Sequence, residues 1–249
     1  MLFGCACCCA VLALLLGALL LDLPVWILPA LVPSVLLCLL AGTSALAAHR
    51  LGPSGGGYTH RIHELLVGAL GPRPGWRVLD AGSGDQDLAG RLSCEPGTLV
   101  VSLDTRRRPG RRRFPRGPRA RGPAPVAGDL PVLPADPCRL PFSDGSFDAV
   151  VSCLVLHDGR GPAEIEQCLE EMLRVLREGG RFALLDLFGD THRYPSIPWL
   201  EGAIRDAGGR ISRRERLGER MSLPMSLDNR LALGRAGLIV GEKDTLPRP

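Results

Sequence analysis

The chain has 249 residues, 45% hydrophobic and 22% charged, which leaves room for one ordinary domain plus an appendage and argues against wholesale disorder. Charge is partitioned: residues 1–48 hold a single charged side chain, Asp22, while the remaining 201 carry 30 basic against 25 acidic residues, a net of +5. That split argues against a simple soluble globule. Nine cysteines, an odd count, argue against a secreted disulfide scaffold; five (Cys5, Cys7, Cys8, Cys9, Cys38) lie in the apolar region and the others are scattered singly without CxxC spacing, so neither a disulfide framework nor a zinc site is suggested.

Met1–Leu21 is an uninterrupted apolar run, and after Asp22 a second uncharged run extends from Leu23 to Ala48. A helix needs about 20 apolar residues to cross a hydrocarbon core of roughly 30 Å, and each run is long enough alone. The pair predicts a transmembrane helical hairpin over 1–48, turning at Leu21–Pro24, with Pro29 and Pro33 as kinks. A cleavable signal peptide is the competing reading, with Ser44–Ala48 resembling a cleavage site. The segment, however, lacks a basic leader and far exceeds the length of a signal's apolar stretch. The first positive charges after it are Arg50 and Arg61, with none before, which places the downstream domain on the cytoplasmic side of a membrane. The four clustered cysteines read as plain membrane-buried residues or, in a eukaryote, as palmitoylation sites.

A Pro/Gly-rich linker, Leu51–Gly57, is followed by helical spacing over Tyr58–Leu70, with Ile62, Leu65, Leu66 and Leu70 on one face and Gly71-Pro72 as the stop. Residues 49–75 thus form a linker and leading helix. Trp76–Asp80 reads as a buried strand, Thr98–Leu103 as a second, Leu130–Ala135 as a weak edge strand and Phe147–Leu154 as another. Pro162–Glu178 is the clearest helix, with Ile165, Leu169, Met172 and Leu176 in a stripe and Gly179 as the stop. Arg181–Leu187 is a strand, Pro198–Ala207 a helix, Arg210–Leu217 a candidate strand and Leu231–Gly241 a final strand. Strands separated by helices imply an α/β domain over 76–249 with a parallel sheet covered on both faces, its ligand at the carboxyl ends of the strands.

Asp80, Ala81, Gly82, Ser83 and Gly84 put an acid and two glycines at the first strand's end, where a missing Cβ lets a ligand approach the backbone. Alone the pattern is weak. Asp104, at the tip of the second strand, strengthens it, because a carboxylate there accepts both hydroxyls of a ribose; a helix cap or solvated turn is the alternative for Asp104.

These residues resemble the class I S-adenosylmethionine-dependent methyltransferases over roughly Tyr58 to Glu242. Val78–Gly84 is similar to that family's cofactor loop and Asp104 to its ribose-binding acid. The block Ala135–Asp148 resembles the family's D-A-x-x-L-P-F-x-D-x-S-F-D, and Leu173–Arg181 its L-R-V-L-K-P-G-G-x. The long block is the most specific. Closest in appearance is the small-molecule branch related to quinone-biosynthesis methyltransferases, and Gly57–Arg61 resembles the lead-in of a subgroup with two N-terminal membrane helices. The resemblance implies a Rossmann-like sheet of order 3-2-1-4-5-7-6 with the last strand antiparallel. It implies S-adenosyl-L-methionine as cofactor, with Asp136 and Pro137 at the adenine and Ser152 lining the same pocket. No metal is implied. Two features depart from the family: Gln86 replaces the usual third glycine of the cofactor loop, and the stretch from Asp104 to Asp136 is rich in Arg, Pro and Gly.

Nine arginines between Arg106 and Arg121 make 106–125 a flexible Arg/Pro-rich insertion, without which the soluble part would stand at −4. Three uses stay open: anionic lipid headgroups, nucleic acid, disfavoured because Phe114 is the one interleaved aromatic, or a solvated loop with no partner. Methyl transfer from a sulfonium is a direct displacement, so the protein supplies alignment and desolvation, and a base matters where the acceptor carries a proton. His157, just past the fourth strand, is the best-placed candidate base, with a polar loop role as its alternative; Tyr58 and His60 would lie over the pocket from the leading helix. The expected function is a membrane-anchored methyltransferase acting on a small or lipid-like acceptor. The alternative is a non-catalytic membrane protein that keeps a degenerate methyltransferase fold for binding or assembly.

Overall fold

The structure, a computed structural model, describes residues 28–51, 57–82, 86–103, 132–158, 161–229 and 232–245. Two compact units divide the chain, Met1–His49 and Arg50–Pro249.

In the first unit the described residues form helix α1 (Leu28–Leu51), which carries Pro33 in its interior. Its stretch Pro33–Leu51 is long and apolar enough to cross a membrane, with mean hydropathy 1.5, and 6% of it is buried against protein. The expected first arm of the hairpin, Met1–Leu21, lies outside the described residues. Among the described residues one candidate span is seen, in the second of the two expected arms.

The second unit contains α2 (Tyr58–Leu70), β1 (Arg77–Asp80), α3 (Gln86–Leu92), β2 (Leu99–Leu103), β3 (Val132–Leu133), β4 (Phe147–Cys153), α4 (Pro162–Val175), β5 (Leu176–Asp186), α5 (Ile197–Asp206), β6 (Gly209–Arg216), α6 (Leu217–Arg220) and β7 (Gly237–Lys243). The strands form one seven-stranded sheet of order β3-β2-β1-β4-β5-β7-β6. Strands β1 to β5 are mutually parallel, and β7 runs antiparallel to both β5 and β6. This is the order and orientation the family resemblance implied.

Alternation along the strands builds a core on each face. Val150, Phe182 and Leu184 pack on one side with Ile165, Leu169 and Met172 of α4 and Leu200 and Ile204 of α5. Val151, Ala183 and Leu185 pack on the other with Ile62, Leu66 and Leu70 of α2 and Leu88 and Leu92 of α3. Helix α2 begins and ends where its spacing predicts. Gly71, with φ 57°, donates its N–H to the Val67 carbonyl and closes it in the left-handed conformation glycine tolerates.

Three boundaries differ from expectation. Helix α4 stops at Val175 rather than Glu178, because Leu176 pairs with Phe147 and the chain enters β5 early through a bulge. The final strand starts at Gly237 rather than Leu231. The weak edge strand shrinks to Val132-Leu133 beside Ser102-Leu103. Cysteine usage also departs from the reading without disulfides: Cys138 and Cys168 are bridged, joining the segment after β3 to α4. Proximity in the fold, invisible in sequence spacing, brings the pair together.

Candidate functional site

Because β1 to β5 are parallel, their carboxyl ends fall along one edge of the sheet, the edge at which such folds bind ligands. Register aligns them: Asp80 lies beside Ser102 and Val151, and Ser152 and Cys153 lie beside Leu184 and Leu185. Asp80 is fully buried, and its Oδ2 accepts the Ser102 hydroxyl at 2.7 Å. The Ala81 N–H donates to the Val151 carbonyl at 2.8 Å, and Gly82 turns the chain with φ 108°, a conformation that excludes ordinary side chains. Of the remaining loop residues expected at the site, Ser83, Gly84 and Asp104 lie outside the described residues.

Past β3, Asp136 and Pro137 stand at the same edge. Asp136 Oδ1 accepts the Cys138 N–H at 3.1 Å, which folds the segment back on itself. The long sequence block that follows is held by α4. Arg174 donates to the carbonyls of Leu140 at 3.1 Å and Phe142 at 2.8 Å and to Asp144 at 2.6 Å, while Glu171 accepts the Leu140 N–H at 2.7 Å. The Arg174 side chain bonds Glu171 as well, and this partner lowers the Glu171 pKa and raises that of Arg174. Asp148 accepts the Arg77 N–H at 2.8 Å and pairs with Arg177 at 2.6 Å. Several acids and bases of the two motifs are thus fasteners between β1, the long block and α4.

Ser152 is a buried polar residue whose hydroxyl the fold leaves unsatisfied. Its hydroxyl is fully buried at the carboxyl end of β4 and has no hydrogen-bond partner among the described residues. An unmet hydroxyl in that position normally costs about 1–3 kcal/mol, which a bound polar ligand would offset. The donor and acceptor set at this edge, with a glycine turn and a fixed acid beside it, fits a nucleoside cofactor.

His157 is carried on the turn after β4. That turn begins at Leu154, whose φ of 54° is the one positive value among described residues other than glycine, and whose N–H donates to the Leu185 carbonyl at 2.8 Å. The ring bonds through Nδ1 to Asp186 Oδ1 at 2.7 Å. Asp186, at the tip of β5, is fully buried and also accepts the N–H groups of Leu156 at 2.8 Å and Leu187 at 2.6 Å. Burial works against a charged imidazole, but the hydrogen bond and charge of Asp186 outweigh it, and the His157 pKa is raised above its ordinary value. Asp186 was missed by sequence reading. It lies 29 residues beyond His157, and only strand register brings the two together.

Tyr58 and His60 do not reach the strand tips through any described contact. Arg61 sits over the Tyr58 ring at 5.2 Å. His60 faces α3, where its ring hydrogen-bonds with Arg91, and its Nε2 lies 3.3 Å from Glu64. Beside it, His63, 3% exposed, bonds Asp87 at 2.9 Å. The cleft lined by Glu201, Arg205, Arg210 and Asp244 lies at the β6 edge of the sheet, away from the tips, and its Arg210 is paired with Asp244 at 3.5 Å. No cluster of metal-ligating side chains occurs among the described residues.

Comparison with known proteins bears on what this edge holds. Residues 79–184 match the family described as Methyltransferase domain. Demethylmenaquinone methyltransferase of Beutenbergia cavernae is 38% identical over 144 residues, 55% of this chain and 48% of that protein. The ubiquinone/menaquinone biosynthesis C-methyltransferase UbiE of Pseudomonas putida is 35% identical over 147 residues, 56% of this chain and 53% of that protein. The chain spans about half the length of the curated relatives it matches. Among solved structures, geranyl diphosphate methyltransferase superposes with TM-score 0.53 at 15% identity, covering 74% of this chain and 84% of its own. The [4+2]-cyclase SpnF superposes with TM-score 0.52 at 18% identity over 74% and 80%. These two establish the fold alone. Sheet order, strand-edge geometry and the match over 79–184 agree in likening this part of the chain to the Methyltransferase domain family.

Proposed function

We propose that the protein is a membrane-anchored methyltransferase that moves a methyl group from S-adenosylmethionine to a small lipid-like acceptor of the quinone class. The observation that carries the cofactor assignment is the Ser152 hydroxyl, buried and unmatched beside the Gly82 turn at the centre of the strand-tip row. S-adenosylmethionine, when bound, supplies a methyl group made electrophilic by its sulfonium. The chain's own residues do the rest. Gly82 lets the backbone come close, Asp80 holds the turn through Ser102, and Asp104 is assigned to the ribose. Asp136, Pro137 and Ser152 are assigned to the remainder of the nucleoside, with Ala81, Ser83 and Gly84 in the loop. Alignment of donor and acceptor supplies the rate. His157 is assigned the acceptor's proton.

The acceptor class rests on the names of the curated relatives and on α1. A helix of that length and apolarity holds the domain at a bilayer, where a hydrophobic acceptor partitions. The basic residues that begin at Arg50 favour a cytoplasmic domain. Arg106–Arg121 is assigned to anionic headgroups at about 1 kcal/mol per residue near the surface. A second reading, a non-catalytic binding protein, is favoured by the two-residue β3.

Calorimetry on the full chain in detergent, titrated with S-adenosylmethionine, separates the two. Micromolar binding that Asp104→Ala weakens at least tenfold supports the enzyme. No binding at millimolar cofactor favours the second reading. Transfer of labelled methyl to a short-chain demethylmenaquinol in vesicles tests the acceptor class.

A further inference from the structure

We infer that Asp186 is a positioning residue that fixes the His157 imidazole with its proton on Nδ1 and turns Nε2 toward the acceptor, so that the substrates of this protein are acceptors that lose a proton on methylation. The inference rests on the methyl-transfer reading above and adds to it a residue and a restriction on chemistry.

The geometry is specific. Asp186 is fully buried at the tip of β5, and its two oxygens are engaged by His157 Nδ1 at 2.7 Å and by the N–H groups of Leu156 and Leu187 at 2.8 Å and 2.6 Å. A carboxylate held by backbone donors stays ionised and accepting, so the ring nitrogen facing it must be the protonated one. Among the described residues nothing bonds Nε2, and the side chain is 25% exposed while its partner is fully buried. The backbone of the same turn is fixed at both ends. The strained Leu154 is tied to Leu185, and Arg193 donates to the His157 carbonyl. A non-glycine residue in the left-handed region persists only where its surroundings over-determine it, a pattern concentrated at functional sites.

The balance of the step follows. The acceptor's electron pair forms the new bond to the methyl carbon, and the sulfur keeps the pair from the bond that breaks. The acceptor's proton, from a hydroxyl or from the ring carbon that is attacked, passes to Nε2 and is released to water between turnovers. An acceptor without such a proton would leave the pair unused. The charged groups facing the ring are Asp186 from β5, Asp158 from its own turn and Arg193 from the turn after β5, the last opposing protonation. Arg193 is itself paired with Asp190 at 3.6 Å.

The test uses full-length protein in detergent, labelled with ¹⁵N-histidine and titrated by NMR, with His157 among the five histidines assigned by its loss in His157→Gln. The expected result is an Nδ1–H tautomer with a midpoint above the usual value of about 6.5, and a lower midpoint with a mixed tautomer in Asp186→Asn. An Nε2–H tautomer in the unmodified protein overturns the inference, and that reading stands even if Asp186→Asn does not fold. Turnover with labelled cofactor and a short-chain demethylmenaquinol supplies the second readout. His157→Gln should lose about 100-fold or more in kcat with cofactor affinity unchanged. In the unmodified protein kcat should rise with pH through the NMR midpoint, and in Asp186→Asn the rise should move to lower pH. Turnover of His157→Gln within threefold of the unmodified protein overturns the proton-acceptor role. Failure of the unmodified protein to transfer methyl to this acceptor while binding cofactor counts against the methyl-transfer reading instead, and the tautomer then decides the pairing by itself.

Discussion

Replacing Ser152 with alanine sets stability against cofactor binding. The hydroxyl is fully buried without a partner, so the unliganded protein carries a desolvation penalty of about 1–3 kcal/mol. Alanine removes the oxygen and leaves almost no void, since the two side chains differ by that atom alone. Taking the low end, the unliganded variant gains about 1 kcal/mol, which raises Tm by about 2–4 °C for a domain of 150–250 residues. If Ser152 bonds the cofactor as proposed, the same change should weaken binding about tenfold, or ~1.4 kcal/mol. At cofactor concentrations of about 100 times the unmodified Kd, ligand stabilisation then falls from ~2.7 to ~1.4 kcal/mol. Thermal melts with and without S-adenosylmethionine read both effects. The variant should melt higher alone and show about half the ligand-induced gain in stability. A lower melting point alone, together with an undiminished cofactor response, would refute the assignment, because the hydroxyl would then serve the fold and not the ligand.

Three further outcomes are expected. Asp87, half-buried on α3 against α2, is held well below the usual carboxylate range by its bond to His63, with Arg91 adding to the effect against the cost of burial. A depressed folded pKa contributes stability above the unfolded value of about 3.9, and that contribution is lost as pH falls toward the folded value. Asp87→Asn should therefore cost about 2 kcal/mol at pH 7, and the gap in urea unfolding should narrow below about pH 4. Gly241→Ala should destabilise by about 1–3 kcal/mol in the same assay, because a Cβ there would overlap the Arg210 carbonyl and the Phe182 ring. Arg174→Met keeps the apolar stem but removes the bonds to Leu140, Phe142, Asp144 and Glu171. About 2–3 kcal/mol should be lost, with new protease cleavage within 140–146 on limited digestion.

Much of this domain was legible where local signals agree with the fold. Tyr58–Leu70 has apolar residues at helical spacing and a glycine stop, and it appears at those limits. Gly209–Arg216 was a harder strand to read because arginines dominate it. Its alternating exposure on the sheet edge shows why charged residues suit the outward positions. Tertiary pairing overrode local preference at Leu176, which has a helical neighbourhood but joins Phe147 in the sheet. Helix α3, seven residues long, is too short to show a period. The candidate glycine turn and Ser152 came from motif resemblance, whereas Asp186 did not, since nothing at short range marks a strand-end acid as the partner of a histidine on the preceding strand's turn. The buried His63 was hidden for a related reason: its partner Asp87 belongs to a different helix.

The segment between β3 and β4 has two kinds of attachment to α4, and they respond to different things. The Cys138–Cys168 bridge is covalent and depends on redox conditions. The Arg174 clamp is ionic and does not. In a reducing cytosol the sulfurs would part while the guanidinium kept its grip, so this segment stays moored to α4 whichever compartment the domain faces.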